Sequence, residues 1–184
     1  DAALRRGPDR EGPPADGPWR IVGEPGEGRT PKITIEDREG RRFLLKFESP
    51  ENPEMMSAAE VVCTKFFHAF GYRVPENHIV IFEPGRLFVD PGVDPAEFPA
   101  HDLEELLAVI PRRPDGTIRA IASAWLPGTP VGPFAYEGTR PDDPNDVFPH
   151  EDRRELRVLR VFAAWLHHTD SKPRNTLAMC VGEA

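Results

Sequence analysis

The chain has 184 residues, with 23 Lys plus Arg against 31 Asp plus Glu, so 23 − 31 gives a net charge of −8. That length suits one ordinary domain, or one lobe and part of a second. A net negative chain is poorly suited to nucleic acid or an anionic membrane, since both select clustered positive charge, and it holds no apolar run long enough to span a bilayer. Proline, at 22 residues, is more than twice its usual share of about 5%. This predicts a loop-rich protein of short elements rather than a helical bundle or coiled coil.

Cys63 (in VVCTKFF) and Cys180 (in LAMCV) sit in apolar stretches and are expected to be buried core residues rather than a disulfide framework. The chain starts at Asp1 without a secretory apolar region, which predicts a trimmed or excised chain and a soluble, cytoplasmic protein.

Residues 1–18 are Pro, Gly and charge and read as a disordered tail. Trp19–Val22, Lys32–Glu36 and Arg42–Phe47 read as strands joined by turns at 23–28 and 37–40, an antiparallel meander. Asn52-Pro53 then predicts a helix start and Gly71 its end. Between them Ala59, Val62, Cys63, Phe66, Ala69 and Phe70 form an apolar stripe. Ile79–Phe82 and Leu87–Val89, around Glu83-Pro84-Gly85-Arg86, predict a hairpin. His101–Ile110 reads as a short helix and Ile118–Trp125 as a strand. Residues 127–149 read as loop, with the acidic run Asp142-Asp143-Pro144-Asn145-Asp146. Glu151 to His168 reads as the strongest helix, its acidic start suited to the helix dipole. Its two apolar stripes, the second made of Val158, Val161 and Trp165, predict a C-terminal half buried on most sides. A last strand is expected over Thr176–Val181.

Directly after that helix the chain runs His167-His168-Thr169-Asp170-Ser171-Lys172-Pro173-Arg174-Asn175-Thr176-Leu177. A carboxylate followed five residues later by Asn is the spacing of a phosphoryl-transfer loop: the Asp accepts the proton of the attacking hydroxyl, and the Asn oxygen holds a divalent metal. Lys172 would lie near the transferred phosphoryl group. The run H-x-D-x-K-P-x-N-x-L resembles the catalytic loop of Ser/Thr protein kinases. A plainer alternative is a turn in which Asp170 caps and Asn175 is left-handed. A metal site built from His167, His168 and Asp170 is disfavoured, because adjacent histidines point to different helix faces and no third ligand is apparent.

The order of elements agrees with a kinase-like fold. Gly23, Gly26 and Gly28 could bring backbone N–H groups to phosphates, although their G-x-x-G-x-G spacing also suits a plain hairpin turn. Lys46 is a lone cation in an apolar strand. It is either a phosphate ligand needing an anionic partner or a solvated edge residue. Glu60 is the natural partner, unless Ser57-Ala58-Ala59-Glu60 is a capping box that folds it back; a helix starting at Asn52-Pro53 favours the pairing with Lys46.

Within the kinase-like superfamily, the stretch LLKFESPENPEMMSAAEVVCTKFFHAFGYRVPENHIV is similar to bacterial proteins related in fold to HipA-like and lipid-kinase-like enzymes. The likeness covers roughly residues 19–181. It implies an ATP- and magnesium-dependent phosphotransferase with an unassigned acceptor. The pattern departs in one respect: no Asp follows Asp170, and the chain stops nine residues after Asn175. That predicts a fragment cut before a DFG-type motif and inactive as it stands. The expectation is thus an α+β protein: a kinase-like sheet-rich lobe (19–125), a proline-rich linker (126–149) and the start of a helical lobe (150–184). Lys46, Glu60 and the three glycines would hold the nucleotide, Asp170 and Lys172 carry catalysis, and Asn175 binds magnesium. The rival readings are an inactive kinase-fold binding module and an interaction domain docking through 127–149.

Overall fold

The computed structural model describes residues 2, 4, 7–8, 11–23, 31–93, 98 and 100–181. The chain is α+β and divides into two compact units, Asp1–Trp125 and Leu126–Ala184.

In the first unit the meander forms as expected, with β1 (Trp19–Gly23), β2 (Lys32–Glu36) and β3 (Arg42–Phe47) pairing antiparallel in sequence. The β2–β3 turn is built on Asp37. One carboxylate oxygen accepts from the Glu39 and Arg41 backbone N–H groups and the other from the Arg41 side chain. Gly40 there takes φ 77°, a conformation only glycine adopts cheaply. Helix α1 (Met55–Ala69) follows, ended by Gly71 at φ 90°. Next come β4 (Asn77–Phe82), a 3₁₀ turn at Pro84–Arg86, β5 (Leu87–Val89), α2 (Ala100–Val109) and β6 (Ile118–Ala124).

The hairpin expected between 79–82 and 87–89 does not form. The strand order is β4-β6-β3-β2-β1-β5, so β4 and β5 occupy opposite edges of one six-stranded sheet. β4 pairs antiparallel with β6, and β5 pairs parallel with β1. Laid flat, six strands would separate the edge strands by about 24 Å, while five residue steps, even fully extended, reach about 18 Å. The link from Phe82 to Leu87 is short and partly helical, so the sheet must curl strongly. The Trp19 and Phe82 rings, from β1 and β4, indeed meet at 4.8 Å across the interior. The curl encloses Trp19, Ile21, Ile33, Ile35, Phe43, Leu45, Phe47, Phe82, Leu87, Ile118, Ala120 and Ala122, and Phe98, Leu103, Leu106, Leu107 and Ile110 pack against them. Curvature, which brings β5 to β1, decided the pairing over sequence proximity.

Helix α1 lies on the other face. Alternation along β3 and β6 sends Lys46, Arg119, Ile121 and Ser123 away from that core, and Ile121 is fully buried. The segment expected as a tail is tied to this unit in its described part: Arg41 and Arg86 donate to the Gly12 and Pro14 carbonyls, and Arg38 pairs with Asp16.

In the second unit β7 (Thr129–Pro133) pairs antiparallel with β8 (Leu177–Cys180), so the stretch 127–149 contains a strand where only loop was expected. Pro130 and Pro133 are tolerated because β7 pairs on one side only and is irregular between Pro130 and Gly132. The expected helix 151–168 is shorter. Glu151 and Asp152 belong to a 3₁₀ turn (His150–Asp152), Arg153 is extended, and α3 runs Arg154–Trp165, closed by His167 at φ 52°. Its second stripe is not buried: Val161 is 66% and Trp165 65% exposed, since the described elements of this unit cover one helix face. Cys180 is exposed and Cys63 half-buried, so neither is the core residue expected. Buried His150 anchors the unit. Its ring stacks on Phe134 at 4.3 Å, with one nitrogen 2.5 Å from the Ala135 carbonyl and the other 2.7 Å from Asp146. No helix among the described residues is long and apolar enough to cross a membrane.

Candidate functional site

In the first unit the strand cation and the helix carboxylate meet. Lys46 Nζ donates to Glu60 Oε1 at 2.6 Å, with the side chains 24% and 32% exposed. Strand alternation produces this contact: Phe43, Leu45 and Phe47 fill the core, which turns Lys46 toward α1. Glu60 lies in the second turn of α1, and its other oxygen, Oε2, is buried without a hydrogen bond. The capping-box alternative is excluded, because Ser57 turns its hydroxyl to the Glu54 carbonyl and to Arg119. The helix start differs from expectation. Asn52-Pro53 lies in the preceding turn, and the N-cap is Glu54, left-handed at φ 70° and without a side-chain cap. The thiol of Cys63 is pushed up by burial and by the nearby Glu60.

Lys32 stands directly opposite Lys46 in the β2–β3 register. Directly opposed strand residues share a face, so Lys32 and Lys46 project to the same side of the sheet. Sequence reading missed Lys32, because its significance lies in cross-strand register. Gly23 ends β1 opposite Thr34, with open space where a Cβ would stand. Gly26 and Gly28 lie outside the described residues.

In the second unit the 167–177 loop is held by its own side chains. Lys172 Nζ donates to Asp170 Oδ1 at 2.8 Å, with Asp170 70% exposed. Asn175 Nδ2 donates to the Asp170 backbone carbonyl at 3.1 Å. That bond spans the five-residue spacing, and it turns the amide oxygen of Asn175 to the opposite side. His168 Nδ1 lies 2.9 Å from the Ser171 hydroxyl, and Thr176 Oγ1, bonded to the Lys172 carbonyl, meets the Tyr136 hydroxyl at 2.5 Å. Asn175 sits in a 3₁₀ turn, Pro173–Asn175, and is not left-handed as the plain-turn alternative required; His167 takes that conformation instead.

Among the described residues no group of three or more His, Cys, Asp or Glu side chains gathers as a metal site. The loop's candidate magnesium donor is the Asn175 amide oxygen, a hard donor of the kind magnesium takes, and magnesium commonly uses only one or two protein ligands.

A second cation that composition does not flag is Arg119. It interrupts the apolar run Ile118–Ala124 as Lys46 interrupts Arg42–Phe47. It contacts Ser57, Glu54 and Glu48 around the start of α1. Compared with known proteins, the chain matches no family model, no curated protein and no solved structure.

Proposed function

We propose that this chain carries the nucleotide-handling and catalytic-loop elements of an ATP- and magnesium-dependent phosphotransferase with a kinase-like fold. The observation that carries the reading is the Lys46–Glu60 ion pair. A half-buried strand lysine held by a helix carboxylate presents a fixed cation to a nucleotide phosphate. The loop supports the reading independently. Asp170 is exposed and aligned by Lys172, so it can accept a proton from an attacking hydroxyl. Asn175 is oriented by its bond to the Asp170 carbonyl, with its oxygen available to the metal. Lys172 sits against the same carboxylate, where it can neutralise charge developing on a transferred phosphoryl group. Asn175 would hold the magnesium, which would supply neutralisation of the phosphate charge.

The acceptor is not specified by these residues. A second reading, a kinase-fold interaction module, is favoured by Phe148, 70% exposed, and Trp165, 65% exposed, since large exposed apolar groups often mark partner surfaces. The test is nucleotide binding with and without magnesium, followed by ATP consumption with protein, lipid and small-molecule acceptors. Magnesium-dependent binding with consumption supports phosphotransfer. Binding without consumption is the outcome of both an inactive fragment and the inactive module, and no binding by the folded chain removes the reading.

A further inference from the structure

Three side-chain links join the outer face of the curled sheet to one face of α1; the third, Asn77 Nδ2 donating to Thr64 Oγ1 at 2.7 Å, lies one turn beyond Glu60. The first is Lys46 to Glu60, from β3. The second starts on β6 at Arg119, whose Nη2 and Nε donate to Ser57 Oγ at 2.9 and 3.2 Å. Lys46 is registered opposite Ile121, two residues from Arg119, so both cations project from adjacent strands on the same side. Ser57 and Glu60 are three residues apart, neighbours on one helix face. Ser57 is fully buried, while the helix start is otherwise uncapped and preceded by left-handed Glu54. Arg119 also lies 3.5 Å from Glu54 Oε1 and 3.5 Å from Glu48 Oε1. It thereby links the end of β3, the residue before α1 and the first turn of α1.

We infer that Arg119 is a positioning residue that, through Ser57, sets the rotation of α1 and so holds Glu60 opposite Lys46. Asn77 to Thr64 anchors α1 beyond Glu60, and Arg119 to Ser57 anchors its first turn, so Glu60 is held between two fixed points. Arg119 does this because its planar fork brings two nitrogens to one hydroxyl and leaves a third for Glu54. Lysine, a single point donor, cannot. The consequence for catalysis rests on the phosphotransferase reading, but the geometry can be tested without nucleotide.

The experiment uses the full chain with isotope-labelled lysine side chains and follows the Lys46 ammonium by NMR. Glu60→Gln supplies the signal of unpaired Lys46. Ser57→Ala, which removes one oxygen and favours helix, is expected to move the Lys46 signal most of the way to that position while the rest of the spectrum keeps its dispersion. Arg119→Lys keeps the charge facing Glu48 and is expected to move it in the same direction, so the conclusion stands if either variant alone fails to fold. A Lys46 signal at its wild-type position in a folded Ser57→Ala or Arg119→Lys chain overturns the inference and leaves Arg119 a purely structural anchor. If the Lys46 signal moves but the wild type binds no magnesium–ATP, the positioning role stands and the phosphotransferase reading falls. If nucleotide binds and Lys46 is unmoved, the inference alone falls.

Discussion

Replacing Arg119 with Met should expose how much of the first unit depends on one buried charge. The Glu48 side chain is 4% exposed, neither of its oxygens has a hydrogen bond, and the Arg119 guanidinium stands 3.5 Å away. Removing one partner of a buried pair typically costs about 3–5 kcal/mol, because the other charge is left uncompensated. The pair separation exceeds contact distance and Arg119 is 17% exposed, which argues for the lower part of that range. Losing the donor to Ser57 adds about 1 kcal/mol. The expected deficit at pH 7 is therefore about 4–5 kcal/mol, a large share of the about 5–15 kcal/mol that stabilises a domain. Arg119→Met with Glu48→Leu removes both charges and should return to within about 1 kcal/mol of wild type. The assay is urea unfolding followed by the amide signals of β3 and β6. A double variant as unstable as the single one would refute the reasoning.

Other outcomes follow from the same geometry. Phe82→Ala should destabilise the first unit by about 3–5 kcal/mol, plus about 1 kcal/mol for the lost ring contact with Trp19, read by chemical denaturation; a loss below about 1 kcal/mol would argue against a closed curl. In the second unit the Asp146 carboxyl is held below the usual range, foremost by the Arg140 backbone N–H and then, against the opposing effect of burial, by His150 and Arg153. Stability from this depressed group is present above its unfolded value of about 3.9 and is lost as pH falls through the folded value. Amide exchange around His150 should therefore quicken below about pH 4, less so in Asp146→Asn, and equal acid sensitivity in both would contradict the assignment. If the chain turns over ATP, Asp170→Asn should lower the rate by about 10²-fold or more with nucleotide affinity nearly intact; an unchanged rate would remove Asp170 as the base.

Local pattern predicted local structure well. The meander from Trp19 to Phe47 was legible because alternation and turn residues act over a few positions, and Gly71 marked the end of α1 for the same reason. Lys46 and Glu60 stood out because a charge in an apolar strand requires a partner. Sheet closure was not legible: β4 and β5 read as a hairpin because their separation in sequence is short, while their true partners, β6 and β1, are chosen by curvature. The start of α1 shifted to Met55 because Asn52-Pro53 spends its turn-forming capacity before the helix. β7 hid among prolines, since an edge strand needs only one side of its backbone. Arg119 and Glu48 escaped notice, and Ser57 was legible only as a capping residue, because their meaning arises when β6 is laid beside β3 under α1.

The central claim, that Lys46 paired to Glu60 receives nucleotide phosphate, is tested most directly by titrating magnesium–ATP into the folded chain and following the phosphorus resonances. The account predicts saturable shifts in wild type that are reduced in Lys46→Met and in Glu60→Gln. No saturable shift in folded wild type, or shifts of the same size in Lys46→Met, would contradict it.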